Sequence, residues 1–279
     1  MSITDLADFA RRHRRLLVLT GAGCSTESGI PDYRDTNGEW KRAAPVTYQA
    51  FMGSEATRQR YWARSLIGWR VVGQARPSLA HRALARLEAA GRVELLLTQN
   101  VDGLHGAAGS RRVIDLHGRI DAVRCMACEA RTARTDLQVE LLRRNAEWAA
   151  LDAAAAPDGD ADLESRDFSG FDIPACARCG GVLKPDVVFF GESVPRERVG
   201  EAMAALARAD AVLVAGSSLM VYSGFRFVQA AVAAGKPVAA VNLGRTRADV
   251  LLALKLELPV GAALDSLAAA LDEAPQLLI

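Results

Sequence analysis

The chain has 279 residues, half of them apolar, and a formal net charge of +1. This length suffices for one large hydrophobic core with a small attached module. The near-neutral charge argues against a global field that would attract nucleic acid or a membrane surface. No apolar run approaches the roughly 20 residues that a membrane span needs. We therefore expect neither nucleic acid nor a membrane as a direct partner.

The N-terminal residues 1–15 show no apolar core of a secretory signal, and Asp5 and Asp8 argue against a transit peptide. The stretch predicts an amphipathic helix that is capped near Thr4. We expect a protein of the bacterial cytoplasm.

Six short apolar runs are typical of buried parallel strands. Amphipathic helical patterns lie between many of them, at 77–91, 195–210 and 223–237. This alternation predicts an α/β fold with a doubly wound, mostly parallel, Rossmann-like sheet. Each run ends in a polar cluster, and ligands of such sheets bind outside the carboxyl ends of the strands, so we expect one composite site there. The runs are 15–21, 93–100, 112–118, 186–192, 211–218 and 237–244.

Two segments interrupt the alternation. Residues 36–75 predict a helical excursion, and residues 119–183 predict an inserted module that contains both Cys-x-x-Cys pairs. Within that module, 136–148 has a helical pattern, whereas 150–174 is strongly acidic with little apolar periodicity and is expected to be a mobile loop or lid. The remaining segments are assigned to the Rossmann-like domain: 1–35, 76–118 and 184–279.

Four of the five cysteines form the two Cys-x-x-Cys pairs, Cys125 with Cys128 and Cys176 with Cys179. Two such pairs suit tetrahedral zinc, and four thiolates close the coordination shell, so that the metal is structural. Two alternatives are four unligated buried cysteines and a zinc ribbon that binds nucleic acid. The second calls for basic and aromatic residues around the pairs, whereas the following loop is acidic.

The loop from Gly21 to Asp35 begins like a dinucleotide-binding turn, with Gly21-Ala22-Gly23 after an apolar run. The third glycine of a dehydrogenase fingerprint is missing, because position 26 is a threonine. The loop is instead rich in small polar residues, whose backbone N–H groups are suited to phosphates. A plain glycine-rich turn remains the alternative.

Other predicted strands also end in polar residues, among them Gln99, Asn100 and Asp102 after the second run. His117 lies between a strand end and a glycine, which favours a role at the composite site. The histidines at 13 and 81 are interpreted as structural, and His105 is left open.

Together these motifs resemble the sirtuins. The matching stretches are GAG-x-ST-ESGIPDYR, TQNVDGLH, LHG, both cysteine pairs, KPDVVFFGE, AGSSLMVYS and VNLG, in this order. Tyr33, the stretches 59–69 and 156–160, and the long insertion between the cysteine pairs resemble the class II branch. The resemblance implies an NAD-dependent protein lysine deacylase that acts on acylated-lysine proteins or peptides, with NAD as co-substrate and one structural zinc ion. We expect a monomer.

The resemblance assigns the catalytic roles to His117, as general base, and Asn100. It also implies a set of residues that bind NAD. They are Gly21, Ala22, Gly23, Ser25, Thr26, Pro31, Asp32, Tyr33, Arg34, Gln99, Asn100, Asp102, Gly216, Ser217, Ser218, Asn242, Leu243, Gly244 and Val260.

Two segments are implied to clamp the substrate peptide as an added strand. Phe189 and Phe190 are candidates for the wall of the acyl tunnel, and one of them is expected to be core, because adjacent strand residues face opposite ways. The substrate residues are Val188, Phe189, Phe190, Gly191, Glu192, Leu219, Met220, Val221 and Tyr222.

In the implied reaction the acyl-lysine carbonyl attacks the ribose as nicotinamide leaves, and His117 then removes a proton from a ribose hydroxyl. A histidine with a pKa near neutrality suits that task. Free lysine, nicotinamide and O-acyl-ADP-ribose result. Cys24 is given no catalytic role, and the acidic insertion is hypothesised to control the choice of acyl group.

Three other functions compete with deacylation. The first is mono-ADP-ribosyl transfer on the same scaffold. The second is a non-catalytic NAD sensor, which the presence of His117, Asn100 and Asp102 disfavours. The third is a dehydrogenase, which the missing third glycine disfavours.

Overall fold

The computed structural model describes residues 1–163 and 166–272. The helices are α1 (Ile3–Arg12), α2 (Tyr48–Gly53), α3 (Glu55–Val72), α4 (Leu79–Ala89), α5 (Leu104–Ala107), α6 (Arg134–Arg144), α7 (Ala146–Ala149), α8 (Arg196–Arg208), α9 (Tyr222–Ala233) and α10 (Val260–Asp272). The strands are β1 (Leu16–Thr20), β2 (Val93–Thr98), β3 (Val113–Asp115), β4 (Gly118–Cys125), β5 (Arg131–Ala133), β6 (Ala155–Ala156), β7 (Asp160–Ala161), β8 (Leu183–Val187), β9 (Ala211–Ala215), β10 (Val238–Val241) and β11 (Leu254–Leu256).

The main sheet has six parallel strands in the order β11-β10-β9-β1-β2-β3. Its central strands β1, β9 and β10 are buried along their whole length, as expected of a parallel sheet that is covered on both faces. Helices α1, α4 and α10 pack on one face, and α8 and α9 pack on the other. The predicted doubly wound α/β fold is therefore confirmed. Among the described helices, none combines the length and the apolar character that crossing a bilayer requires.

A second, smaller unit carries its own apolar cluster. Its three-stranded antiparallel sheet has the order β5-β4-β8, and helices α2, α3 and α6 pack around it. Trp62 of α3 and Phe51 of α2 are buried in this cluster. The predicted helical excursion is thus α2 and α3, while residues 36–47 before them are not helical.

The prediction that 186–192 is a strand of the parallel sheet was wrong. The strand β8 covers Leu183–Val187 and runs antiparallel to β4 in the smaller sheet, and residues 188–192 lie in the turn and bridge that follow it. An apolar run indicates burial but does not identify the sheet in which the strand lies. The sequence patterns also missed the strand β11 at the edge of the main sheet, because its three residues are too few to form a recognisable apolar run.

The N-terminal helix is capped two residues earlier than predicted, at Ser2 instead of Thr4. Ser2 is the cap, since its hydroxyl accepts a hydrogen bond from the Asp5 backbone while the Asp5 carboxylate accepts one from the Ser2 backbone. This reciprocal pair satisfies two of the free N–H groups at the helix start. A cap at Thr4 without an acidic partner would satisfy fewer of them, so the helix begins after Ser2.

The described parts of the acidic segment, residues 150–163 and 166–174, are packed rather than detached. They include the hairpin β6–β7, in which Ala156 and Ala161 are buried. Gly68 of α3 lets this hairpin approach, because a Cβ at position 68 would lie 2.2 Å from the Gly159 carbonyl oxygen. Arg64 of α3 holds Asp160 through two hydrogen bonds of 2.7 and 2.6 Å. The buried residues are too widely spaced along the chain to produce a periodic pattern, and the mobility expected of this segment stays a prediction.

Candidate active site

The carboxyl ends of the central strands meet at one cavity of about 690 Å³. Gly21 and Ala22 follow β1, Gln99 follows β2, Ser217 follows β9 and Asn242 follows β10, and all of them line this cavity. The predicted composite site at the strand ends is therefore present.

The glycines of the opening loop are required by close packing. A Cβ on Gly21 would lie 2.8 Å from the Cβ of Ser217, and a Cβ on Gly23 would lie 2.8 Å from the Cα of Gly216. The loop thus crosses directly over the end of β9. Two short 3-10 turns follow, over Ala22–Cys24 and Thr26–Ser28, where a dehydrogenase fingerprint would begin a helix. The geometry accounts for the missing third glycine and argues against a dehydrogenase site.

A hydrogen-bond chain braces this loop from behind. The Asn100 amide donates to the Gly21 carbonyl and to Ser25 Oγ, at 3.0 Å each, and Ser25 Oγ donates to Asp102 Oδ2 at 2.7 Å. Ser25 is only 1% exposed. Asn100 lines the cavity, whereas Ser25 and Asp102 hold the loop in place. Four of the predicted NAD contacts lie outside the wall formed by the described residues: Ser25, Pro31, Asp102 and Gly244.

His117 is held by hydrogen bonds at both ring nitrogens. Nδ1 lies 2.9 Å from the Gln99 carbonyl oxygen, and Nε2 lies 2.7 Å from Ser223 Oγ. A carbonyl only accepts, so Nδ1 carries the proton of the neutral ring and Nε2 presents its lone pair. Gly118, at φ 82°, lets the chain reverse directly after His117, and a Cβ there would meet the Asp186 carbonyl oxygen at 2.1 Å.

Burial, helped by the positive charges of Arg198 and Arg226, lowers the pKa of His117 to about 4, although the hydrogen bond to the Gln99 carbonyl acts to raise it. This pKa is below the near-neutral value expected from the sequence. The physical reason is that the imidazolium would be desolvated beside two guanidinium groups. The ring is therefore neutral at physiological pH and can accept a proton.

Both predicted substrate segments line the cavity. The Val188 backbone N–H donates to the His117 carbonyl at 2.7 Å, which ties the first segment to the base. Phe189 is 9% exposed and packs on Phe51 with ring centroids 5.3 Å apart, so it is the core member of the pair. Phe190 packs on Trp40 at 5.7 Å and belongs to an aromatic wall that also includes Tyr33.

Asp158 of the acidic segment lines the same cavity. Its carboxylate accepts a hydrogen bond from the Tyr33 hydroxyl. Burial, together with the negative charges of Asp102 and Asp160, raises the pKa of Asp158 to about 6, although the hydrogen bond from Tyr33 acts to lower it. The neighbouring Arg34 stacks on Trp40, with its guanidinium carbon 3.7 Å from the ring centroid.

Sequence reasoning missed several residues of this cavity, chiefly Trp40, Asp158, Ser223 and Arg226. Trp40 lies in the stretch assigned to a helical excursion, and Arg226 is one turn into α9. Asp158 and Ser223 are both inside motifs that were noticed, APDGD and AGSSLMVYS, but no local pattern indicated which way their side chains would point.

Two further predictions concern residues behind the site. His105 is buried, with Nε2 2.9 Å from Thr20 Oγ1, and its ring lies 4.5 Å from that of His81. His81 in turn caps α4 with Ser78, in agreement with a structural role. Cys24 is buried, and burial raises the pKa of its thiol to about 12, which leaves it protonated and unreactive.

The four paired cysteines converge at a place remote from the cavity lining. Their sulfur atoms all lie within 4.8 Å of one another, with Cys125 and Cys179 at 3.5 Å and Cys128 and Cys176 at 3.8 Å. Sulfurs that surround a tetrahedral zinc at about 2.3 Å are about 3.8 Å apart, so the arrangement fits that ion.

Three of the arginines near the cysteines are engaged within the protein. Arg124 pairs with Glu129 at 2.5 Å, Arg131 pairs with Asp186 at 2.8 Å, and Arg134 is fully buried. These contacts disfavour a nucleic-acid-binding ribbon.

Comparison with known proteins gives a consistent result. The model of the Sir2 family matches residues 21–223. The chain is 69% identical over 253 residues to NAD-dependent protein deacetylase 2 of Bradyrhizobium diazoefficiens, covering 91% of this chain and 93% of that one. It is also 69% identical over 252 residues to an NAD-dependent protein deacetylase of Xanthomonas campestris pv. campestris, covering 90% and 86% of the two chains.

Solved structures agree at lower identity. A Sir2 protein with a p53 peptide and NAD+ superposes with a TM-score of 0.79 at 31% identity, covering 98% of this chain and 100% of that one. A Sir2 protein bound to an acetylated peptide gives a TM-score of 0.77 at 29% identity, with the same coverage. The match spans more than half of the chain and extends to relatives of high identity, and the chain therefore belongs to the Sir2 family, the sirtuins.

Proposed function

We propose that this chain is an NAD-dependent protein lysine deacylase that releases nicotinamide and forms O-acyl-ADP-ribose. The observation that carries the proposal is the neutral His117, whose Nε2 faces the cavity bounded by the glycine loop. The names of the bacterial relatives, NAD-dependent protein deacetylases, support the same reaction.

The donor set suits a dinucleotide. The N–H groups of Gly21 and Gly23 donate to the carbonyls of Ala215 and Gly216, which holds the loop against the end of β9 with Ala22 at the cavity wall. Ser217, Ser218 and Asn242 add polar groups on the adjoining strand ends. Val260 at the start of α10 offers an apolar contact for the base at the far end. NAD, when bound, supplies the ribose from which nicotinamide departs.

The protein's own groups then act on that ribose and on the substrate. Asn100, tied to Gly21 and Ser25, orients polar groups beside the ribose. The segments 188–192 and 219–222 hold the peptide between them as an added strand. His117 receives a proton at Nε2 from a ribose hydroxyl, while its Nδ1–H remains bonded to the Gln99 carbonyl, which keeps the ring oriented and stabilises the positive charge it gains.

Zinc is proposed as a structural ion. The four cysteines fit a closed tetrahedral site. One pair lies at the end of β4, which follows His117, and the other lies in the loop before β8, which leads to Val188. The metal would therefore fix the smaller sheet to which His117 and Val188 are attached, without taking part in the reaction.

We propose further that Asp158 restricts the acyl group. Its carboxyl is buried at the cavity wall and is ionised above its pKa of about 6, so it repels acyl chains that end in a carboxylate. Neutral acyl groups such as acetyl would be accepted. Class II character and action in the bacterial cytoplasm remain predictions.

The deacylase activity is tested with acyl-lysine peptides, from acetyl to long-chain and dicarboxyl, incubated with NAD and analysed by mass spectrometry. We expect loss of a neutral acyl group with formation of O-acyl-ADP-ribose. His117→Ala should lower kcat/KM by about 100-fold or more, because the general base is lost. His13→Ala, at the end of α1, is the matched control and should retain activity.

Two results would contradict the deacylase proposal. One is release of nicotinamide with ADP-ribose transferred to protein and every acyl group intact, which would indicate mono-ADP-ribosyl transfer. The other is a His117→Ala enzyme as active as the parent.

Metal content tests the zinc site. We expect one zinc per chain by elemental mass spectrometry, lost in Cys176→Ala together with a lower Tm, because a structural zinc contributes directly to folding. Cys24→Ala removes a buried thiol outside the cluster and should retain the metal. A metal-free parent protein, or full zinc in Cys176→Ala, would contradict the assignment.

The role of Asp158 is tested by comparing kcat/KM for acetyl-lysine and succinyl-lysine peptides. Asp158→Asn removes the charge, so we expect the succinyl-to-acetyl ratio to rise about tenfold, roughly the effect of one partly buried charge. In the parent enzyme the ratio should also rise as the pH falls below about 6, since Asp158 then becomes protonated. Asp162→Asn, in the same segment but paired with Arg42 at the surface, is the control. An unchanged ratio in Asp158→Asn would refute this role.

A further inference from the structure

The lone pair that His117 presents to the cavity is already engaged by the protein. Ser223 Oγ lies 2.7 Å from Nε2, and Nδ1 donates to the Gln99 carbonyl, so the serine hydroxyl must donate to Nε2 while the ring is neutral. A substrate hydroxyl cannot donate to the same lone pair while this hydrogen bond exists.

The position of Ser223 is fixed by its surroundings. It is the second residue of the 12-residue helix α9. The next residue, Gly224, packs so closely on the Gln99 side chain that a Cβ there would lie 2.3 Å from Gln99 Oε1. Gln99 therefore anchors both the histidine ring, through its carbonyl, and the start of α9, through its side chain. Because both groups are fixed by Gln99, the Ser223 hydroxyl is held in hydrogen-bond distance of His117.

Ser223 also has access to the substrate side. Its side chain is partly exposed, and it lines the cavity together with His117, between the substrate segment that ends at Tyr222 and the base. A serine hydroxyl can donate and accept at the same time, which is the property that a proton relay needs.

We propose that Ser223 is a catalytic proton relay between the ribose hydroxyl and His117 Nε2, an inference that rests on the proposed deacylase function. As the ribose oxygen attacks the acyl carbon, its O–H bond breaks and the proton passes to Ser223 Oγ. The original Ser223 proton passes to Nε2 in the same step. The electron pair of the broken ribose O–H bond forms the new C–O bond, and the π electron pair between the acyl carbon and the lysine nitrogen moves to the nitrogen. Ser223 is again a neutral hydroxyl, and His117 becomes an imidazolium.

The relay predicts a selective defect, because nicotinamide leaves before the base acts. The test is a single-turnover experiment with excess enzyme, NAD and an acetyl-lysine peptide, in which rapid quench measures nicotinamide and O-acyl-ADP-ribose separately. In Ser223→Ala we expect nicotinamide to form at the parent rate and O-acyl-ADP-ribose to form about tenfold or more slowly, the scale of assisted proton transfer. Ser223→Thr keeps the hydroxyl and should recover most of the rate.

Rates in mixtures of H2O and D2O add a readout that a structural role would not change. Two protons move in the relay, so the parent enzyme should give a curved dependence of the O-acyl-ADP-ribose step on deuterium fraction, and Ser223→Ala should give a linear one. The proposal is overturned by a linear dependence in the parent, by equal loss in both steps, or by a Ser223→Ala enzyme as fast as the parent or faster. The last result would mean that the serine only blocks the base. Failure of the deacylase function itself would look different, because the parent would then form no O-acyl-ADP-ribose.

Discussion

The site depends on the parallel register of β1 between β2 and β9. Thr20, the last residue of β1, pairs with Thr98 of β2 on one side and with Ala215 of β9 on the other. The three strands therefore end at the same level, and the residues that follow them emerge side by side. The glycines of the first loop are the consequence, since only a chain without Cβ atoms can cross the end of β9 at this distance.

The same row of strand ends also sets the protonation state of the base. Gln99 is the first residue beyond β2. Its backbone carbonyl accepts a hydrogen bond from Nδ1–H of His117, and its side-chain amide donates to Ser217 Oγ at 2.8 Å. The smaller unit fixes the position of His117 relative to the segment 188–192. Strand β4 begins directly after His117 and pairs with β8, which leads into that segment. The glycine loop, His117 and the segment 188–192 are thus connected by backbone contacts, to which side-chain hydrogen bonds of Asn100 and Ser25 add.

The sequence predicts those features that local patterns encode. Apolar runs and amphipathic helices predict the parallel sheet, and the cysteine spacing predicts the cluster of Cys125, Cys128, Cys176 and Cys179. Most of the residues that the motifs assigned to the site line the cavity, and four predicted NAD contacts lie outside the wall that the described residues form.

The sequence does not reveal which strand pairs with which, and so β8 was assigned to the wrong sheet. Asp158 and Ser223 were missed because their roles arise from contacts with Tyr33 and His117, which are distant along the chain. The packing of the acidic segment depends on Arg64 and Gly68 of another helix, which no pattern within the segment indicates.

The central claim is that one cavity holds NAD and an acyl-lysine peptide on either side of His117. The most direct measurement is a crystal structure of the protein with an acetyl-lysine peptide and a carbocyclic form of NAD, which cannot lose nicotinamide. We expect NAD along the ends of β1, β9 and β10 with its nicotinamide ribose beside position 117, and the peptide between 188–192 and 219–222. NAD bound away from the glycine loop, or a peptide bound outside these two segments, would contradict the account.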